Sequence, residues 1–119
     1  MGSGTGRLSA GILYGNDAKD EWESLDLFEV EPFVDPQWGT VSPAEAHALK
    51  KGKWRHISLP NGEVLDIQIL FRAEEGQLAV HVKQGSEPVA QLLCEGAPSM
   101  IFLTRGGATV NIQFYDGVV

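Results

Sequence analysis

The sequence predicts a mainly β domain, α+β at the margin. The expected architecture is a six-stranded antiparallel meander forming a barrel or sandwich, preceded by one or two short strands and one short capped helix. Three observations lead there. The stretch Glu63–Arg72, EVLDIQILFR, alternates Leu65, Ile67, Ile69 and Phe71 with Asp66, Gln68, Leu70 and Arg72, the period of a strand with one face on a core and one towards water. Short loops containing glycine or proline separate six such stretches, at 54–59, 63–72, 77–83, 88–95, 99–104 and 108–115, the spacing of a meander. The only clear helix signal is a capping box at Ser42-Pro43-Ala44-Glu45, which predicts a helix over about 43–51.

The hairpins fix the register of the central strand. Before it, Pro60-Asn61-Gly62 reads as a type I turn with Gly62 at the left-handed bulge position. Leu59 then faces Glu63, Ile57 faces Leu65 and Arg55 faces Ile67. A two-residue Asn-Gly loop would slip the pairing by one and turn Ile57 and Leu59 to the wrong face, so the apolar pattern selects the longer loop. After the strand, Ala73-Glu74-Glu75-Gly76 closes between Arg72 and Gln77, setting Phe71 opposite Leu78, Ile69 opposite Val80 and Ile67 opposite Val82. On the other face these registers create two polar rows, Trp54–Gln68–His81 and His56–Asp66–Lys83.

The flanking elements follow in chain order. Residues 1–9 are expected to be a flexible N-terminus, with MGSG either native or an expression remnant, and 10–119 a single domain. Residues 10–15 suggest a short edge strand. Asn16 or Asp17 suits the cap of a helical turn carrying Ala18, Trp22 and Leu25. Residues 25–33, LDLFEVEPF, read as a strand with a phase slip at Leu27-Phe28, which a bulge there would absorb. Beyond the helix, whose stripe of Ala46 and Leu49 suits the closure of a sheet or barrel end, Gly106-Gly107 reads as a two-residue primed turn. That turn sets Leu103 opposite Val110 and Ile101 opposite Ile112. SMIFLT, apolar on both faces, is expected to be covered on both.

Charge is uneven along the chain. The net charge is −7, and eight acids (Asp17, Asp20, Glu21, Glu23, Asp26, Glu29, Glu31, Asp35) stand against Lys19 alone between 17 and 35, whereas the chain from 43 onwards is close to neutral. Such a field disfavours nucleic acid and anionic membrane and favours a cationic partner or simple solubility, the commoner cause. A single cysteine, Cys94, excludes an internal disulfide framework and suits a reducing, cytoplasmic setting. No apolar run approaches the ~20 residues of a membrane-spanning helix.

No catalytic or cofactor motif is present: no CxxC, HExxH, phosphate-cradling glycine loop or nucleophile elbow. His47, His56 and His81 lack the spacing of a metal motif. Cys94, within QLLCE, reads as a small packed residue. No cofactor and no metal is expected. Three function classes remain. The first is a small acidic, non-enzymatic binding protein of inhibitor, immunity or adaptor type. Its N-terminal third (Asp20, Glu21, Trp22, Glu23, Glu29, Glu31 and Trp38) would engage a protein with a basic surface. The second is a barrel holding a small apolar ligand. The third is an enzyme whose site lies on the outer sheet face, in the cluster Trp54, His56, Asp66, Gln68, His81 and Lys83. An edge strand would also allow a homodimer.

Overall fold

The computed structural model describes residues 7–30, 54–72, 76–96 and 99–117. Eight strands make two four-stranded antiparallel sheets. The first contains β1 (Leu8–Asn16), β2 (Glu21–Val30), β7 (Met100–Leu103) and β8 (Thr109–Asp116) in the order β2-β1-β8-β7. The second contains β3 (Trp54–Ser58), β4 (Val64–Arg72), β5 (Gln77–Gln84) and β6 (Glu87–Glu95) in sequence order. The meander therefore divides after β6. Its last hairpin joins the N-terminal strands, and the strands make a sandwich-like pair of sheets, not a closed barrel. Among the described residues no helix is long and apolar enough to cross a membrane.

The core lies between the inner faces. From the second sheet come Ile57, Leu65, Ile67, Phe71, Leu78, Val80 and Val82, and from the first Leu8, Ala10, Ile12, Val30, Val110, Ile112 and Phe114. Fully burying each of the larger side chains contributes about 1.5–3 kcal/mol. The β3–β4 and β4–β5 registers are those expected: Ile57 pairs with Leu65, Arg55 with Ile67, Ile67 with Val82 and Phe71 with Leu78. Leu59 and Glu63 close the first hairpin, Leu59 N–H donating to Glu63 O at 2.8 Å, and Gly62 has φ +94°.

Four expectations are corrected. Residues 10–15 are not a short edge strand. They belong to a nine-residue central strand, which begins at Leu8 inside the segment expected to be flexible. Leu8 and Ser9 are buried there, and Ser9 Oγ donates to Gly117 O at 2.7 Å. The helical turn is confined to a single 3-10 turn at Asp17–Lys19, so Trp22 and Leu25 lie on β2. The bulge sits at Leu25, where Ile12 pairs with Asp26 but Leu13 with Ser24, not at Leu27-Phe28. It lets Leu25 and Phe28 both reach the core.

The fourth correction is the last hairpin. Thr104 N–H donates to Ala108 O at 2.8 Å and Gly107 N–H to Thr104 O at 3.0 Å, with Gly107 at φ +85°. Arg105-Gly106-Gly107 is thus a three-residue loop of the same kind as Pro60-Asn61-Gly62, with glycine at the left-handed position where an L side chain is strained. The pairing moves by one: Phe102 faces Val110 and Met100 faces Ile112. Met100 and Phe102 turn inward, and Ile101 and Leu103 point outward, 48% and 65% exposed. This strand is covered on one face only. The expected helix over 43–51 lies outside the described residues.

Candidate functional site

The acidic residues occupy an edge. Strand β2 is the outer strand of the first sheet, and Asp20, Glu21, Glu23 and Glu29 on or beside it are exposed. Asp20 carries a positive φ of 50° at the turn into β2 and accepts a hydrogen bond from Trp22 Nε1 at 3.2 Å. Gly15 lets the two strands meet at this end. A Cβ there would lie 1.9 Å from Glu21 O, a separation no side chain survives. Glu29 lies 3.5 Å from Arg7 Nε, an exposed pair worth about 0–1 kcal/mol. Glu31 and Trp38, expected to belong to the same surface, fall outside the described residues.

Pairing of Gly15 with Trp22 and of Gly11 with Leu27 puts both large side chains on the outer face of the first sheet. Leu27 (50% exposed) and Tyr115 (42%) converge over Gly11, where an added Cβ would touch both. The exposed carboxylates thus share an edge strand with Leu27, and Ile101 and Leu103 stand exposed on the same outer face at the far edge, separated from Leu27 and Tyr115 by Thr109, Asn111 and Gln113 of β8.

On the inner side of the same edge, Arg55 of β3 ties the two sheets together. Its Nε donates to Asp26 Oδ2 at 3.2 Å, and its guanidinium stands 3.7 Å from the centroid of the Phe28 ring. The pair is half-open to water, so its electrostatic contribution is small, and the stacked guanidinium covers apolar surface as well.

The outer-face cluster of the second sheet has the expected rows. Trp54 pairs with Gln68 and Gln68 with His81; His56 pairs with Asp66 and Asp66 with Lys83. Its burial is not that of a solvated face. Gln68, Leu70, Ala79 and His81 are buried, so this part of the sheet is withdrawn from water on both faces. At the open end His56 Nδ1 contacts Asp66 Oδ1, with the histidine side chain 73% exposed and the carboxylate 15%. Lys83 Nζ lies 4.2 Å from the Trp54 ring centroid, a cation–π contact.

Cys94 does not join this cluster, because it pairs with Leu78 and packs against the core on the opposite face. Burial raises its pKa above the ordinary 9.0 and keeps it a thiol. Among the described residues no three His, Cys, Asp or Glu side chains are placed to hold a metal ion.

One highly connected polar group carries no sequence signal. Glu63, at the start of β4, receives Asn61 Nδ2 at 2.6 Å, Thr104 Oγ1 at 2.5 Å, Gln84 Nε2 at 2.8 Å and the Gly106 N–H at 2.8 Å. Gln84 Oε1 in turn accepts from Arg105 N–H at 2.8 Å. One carboxylate therefore latches the β3–β4 turn of the second sheet onto the β7–β8 turn of the first. The hydrogen bonds from Gln84, Thr104 and Asn61 lower its pKa from 4.5 to about 2. Its donors come from points up to 43 residues away, which is why no local pattern marks it.

Comparison with protein-family models, with curated proteins and with solved structures gives no match for this chain.

Proposed function

We propose that this protein is a small acidic binding module, not an enzyme, which engages a protein with a basic surface through β2 and the adjoining outer face of the first sheet. One observation carries the proposal: Asp20, Glu21 and Glu23 stand exposed at the start of an edge strand, and the half-exposed side chains of Leu27 and Tyr115 meet on the outer face of the same sheet, the face opposite to Glu21 and Glu23. Acidic residues steer a cationic partner and set its approach, while the apolar pair on the outer face of the same sheet, with its aromatic ring, supplies the area that holds it. A reducing, cytoplasmic setting suits a chain with a single thiol. The outer-face cluster supports an enzymatic reading less well, because His56 lies on open surface with the cysteine on the far side of the sheet.

The test is a pull-down from the native host at two salt concentrations, with the wild-type chain and with the triple variant Asp20→Lys, Glu21→Lys, Glu23→Lys. The expected result is a partner held by the wild type, weakened by salt and lost in the variant, with the melting temperature unchanged. An unchanged set of partners would remove the proposal.

A further inference from the structure

Among the described residues there are four edge strands, and three of them carry features that discourage pairing with another chain. Strand β2 bears Glu21, Glu23, Asp26 and Glu29; β3 bears Arg55 and His56; β6 bears Glu87, Pro88 and Glu95. Charges and proline on an edge are how natural sheets avoid joining edge to edge. Strand β7, MIFL, has neither. Its outward side chains, Ile101 and Leu103, are among the most exposed apolar groups of the described residues.

The backbone of β7 is oriented to match. Thr104 N–H points into the hairpin, towards Ala108 O. Because successive residues in a strand alternate, Phe102 and Met100 also direct their backbone groups at β8. The N–H and C=O groups of Ile101 and Leu103 therefore face the open edge, and among the described residues no strand pairs with them. The same two residues present free main-chain donors and acceptors together with uncovered apolar side chains.

We propose that β7 is a homodimerisation edge, on which β7 of a second copy adds antiparallel to make one eight-stranded sheet. The second copy is favoured over an unrelated strand for two reasons. First, β7 complements itself. A two-fold axis through Phe102 sets Phe102 against Phe102 of the second copy and Ile101 against Leu103. These are pairings that keep both inner faces on one side and both outer faces on the other. Ile101 and Leu103 are then the hydrogen-bonded pairs, as their backbone orientation requires. Second, the charge that would repel another copy sits elsewhere. Strand β2 lies at the opposite edge of this sheet, three strand spacings or about 14 Å away, beyond the ~8 Å screening length at physiological salt. Just beyond β7, Arg105 pairs with Glu87 at 3.3 Å, and the Glu63 carboxylate is held by Thr104 Oγ1 and the Gly106 N–H.

Two short strands make a small contact, so the dimer is expected to be weak and concentration-dependent. Sedimentation velocity of the full chain from about 1 to about 500 µM is expected to show a shift from monomer to dimer. Leu103→Lys, and independently Ile101→Lys, should weaken association at least about tenfold with the folded circular dichroism spectrum retained. The triple β2 variant should dimerise like the wild type, which separates this edge from the partner surface proposed above. In a Cys94→Ser background, the pair Ile101→Cys and Leu103→Cys should cross-link between copies on oxidation. A wild-type chain that stays monomeric throughout, or a dimer that survives both lysine substitutions, overturns the proposal.

Discussion

Phe71 and Leu103 are both large apolar residues on strands, and their truncation separates core from surface. Phe71 is 1% exposed, the largest fully buried side chain among the described residues, packed where β4 meets Leu78 of β5. Truncation to alanine removes the ring from water-free surroundings and leaves a cavity, for a loss of about 3–5 kcal/mol. That is a large part of the ~5–15 kcal/mol total stability of an ordinary domain. Leu103 is 65% exposed, so only about a third of its surface is withdrawn from water. Scaling a full leucine burial of about 1.5–3 kcal/mol by that fraction leaves under about 1 kcal/mol for Leu103→Ala. Urea titration at low micromolar chain concentration measures both, with equal m-values required for the comparison. In thermal melts, Phe71→Ala should lower Tm by roughly 10–25 °C and Leu103→Ala by less than about 5 °C. Equal losses, or a greater loss at Leu103, would show that the outer face of the first sheet is core and that the last hairpin has the other register.

Ile67→Asp should abolish cooperative folding, because an unpaired carboxylate in this interior costs on the order of several kcal/mol; a soluble variant with a sharp urea transition would contradict the core assignment. Gly107→Ala should destabilise by about 1–2 kcal/mol, since the residue sits at φ +85° with open space around it, so the cost is conformational and chemical denaturation will read it directly. The Glu63 latch predicts a pH dependence. Its folded pKa of about 2 lies below the ordinary 4.5, so between these values the unfolded chain binds the extra proton. Its stabilisation is complete above about pH 4.5 and is lost as pH falls towards 2. Glu63→Gln should therefore reduce the gap in urea midpoint between pH 5 and pH 2.5 relative to the wild type, and an identical gap would exclude the latch. Cys94 should react with a thiol reagent at pH 7 much more slowly than in urea-unfolded chain, because burial keeps it protonated and covered.

The acidic margin was readable from charge alone, because eight carboxylates within nineteen residues need no fold to be seen. That Glu21, Glu23, Asp26 and Glu29 lie on an edge strand, and that Leu27 meets Tyr115 on the outer face of its sheet, was not. Tyr115 lies on β8, and only the β1–β8 ladder brings it over Gly11. The rows Trp54–Gln68–His81 and His56–Asp66–Lys83 were derivable residue by residue, since both depend on local turns. Their burial was not, because solvent exposure depends on what lies above a face, and strand periodicity reports nothing of that.

What this sequence settles by itself is local. Alternation along 63–72 and the turn chemistry of Pro60-Asn61-Gly62 determine strands, faces and the pairing of neighbours, because period and turn length act over a few residues. Tertiary structure decided the remainder. It separated the meander into two sheets, placed β1 at the centre of one, and tied the sheets together at Glu63 and Arg55. It also chose the three-residue loop at 105–107: two glycines permit either loop, and the inward placement of Met100 and Phe102 against the core, with the Gly106 N–H bound to Glu63, selects one of them.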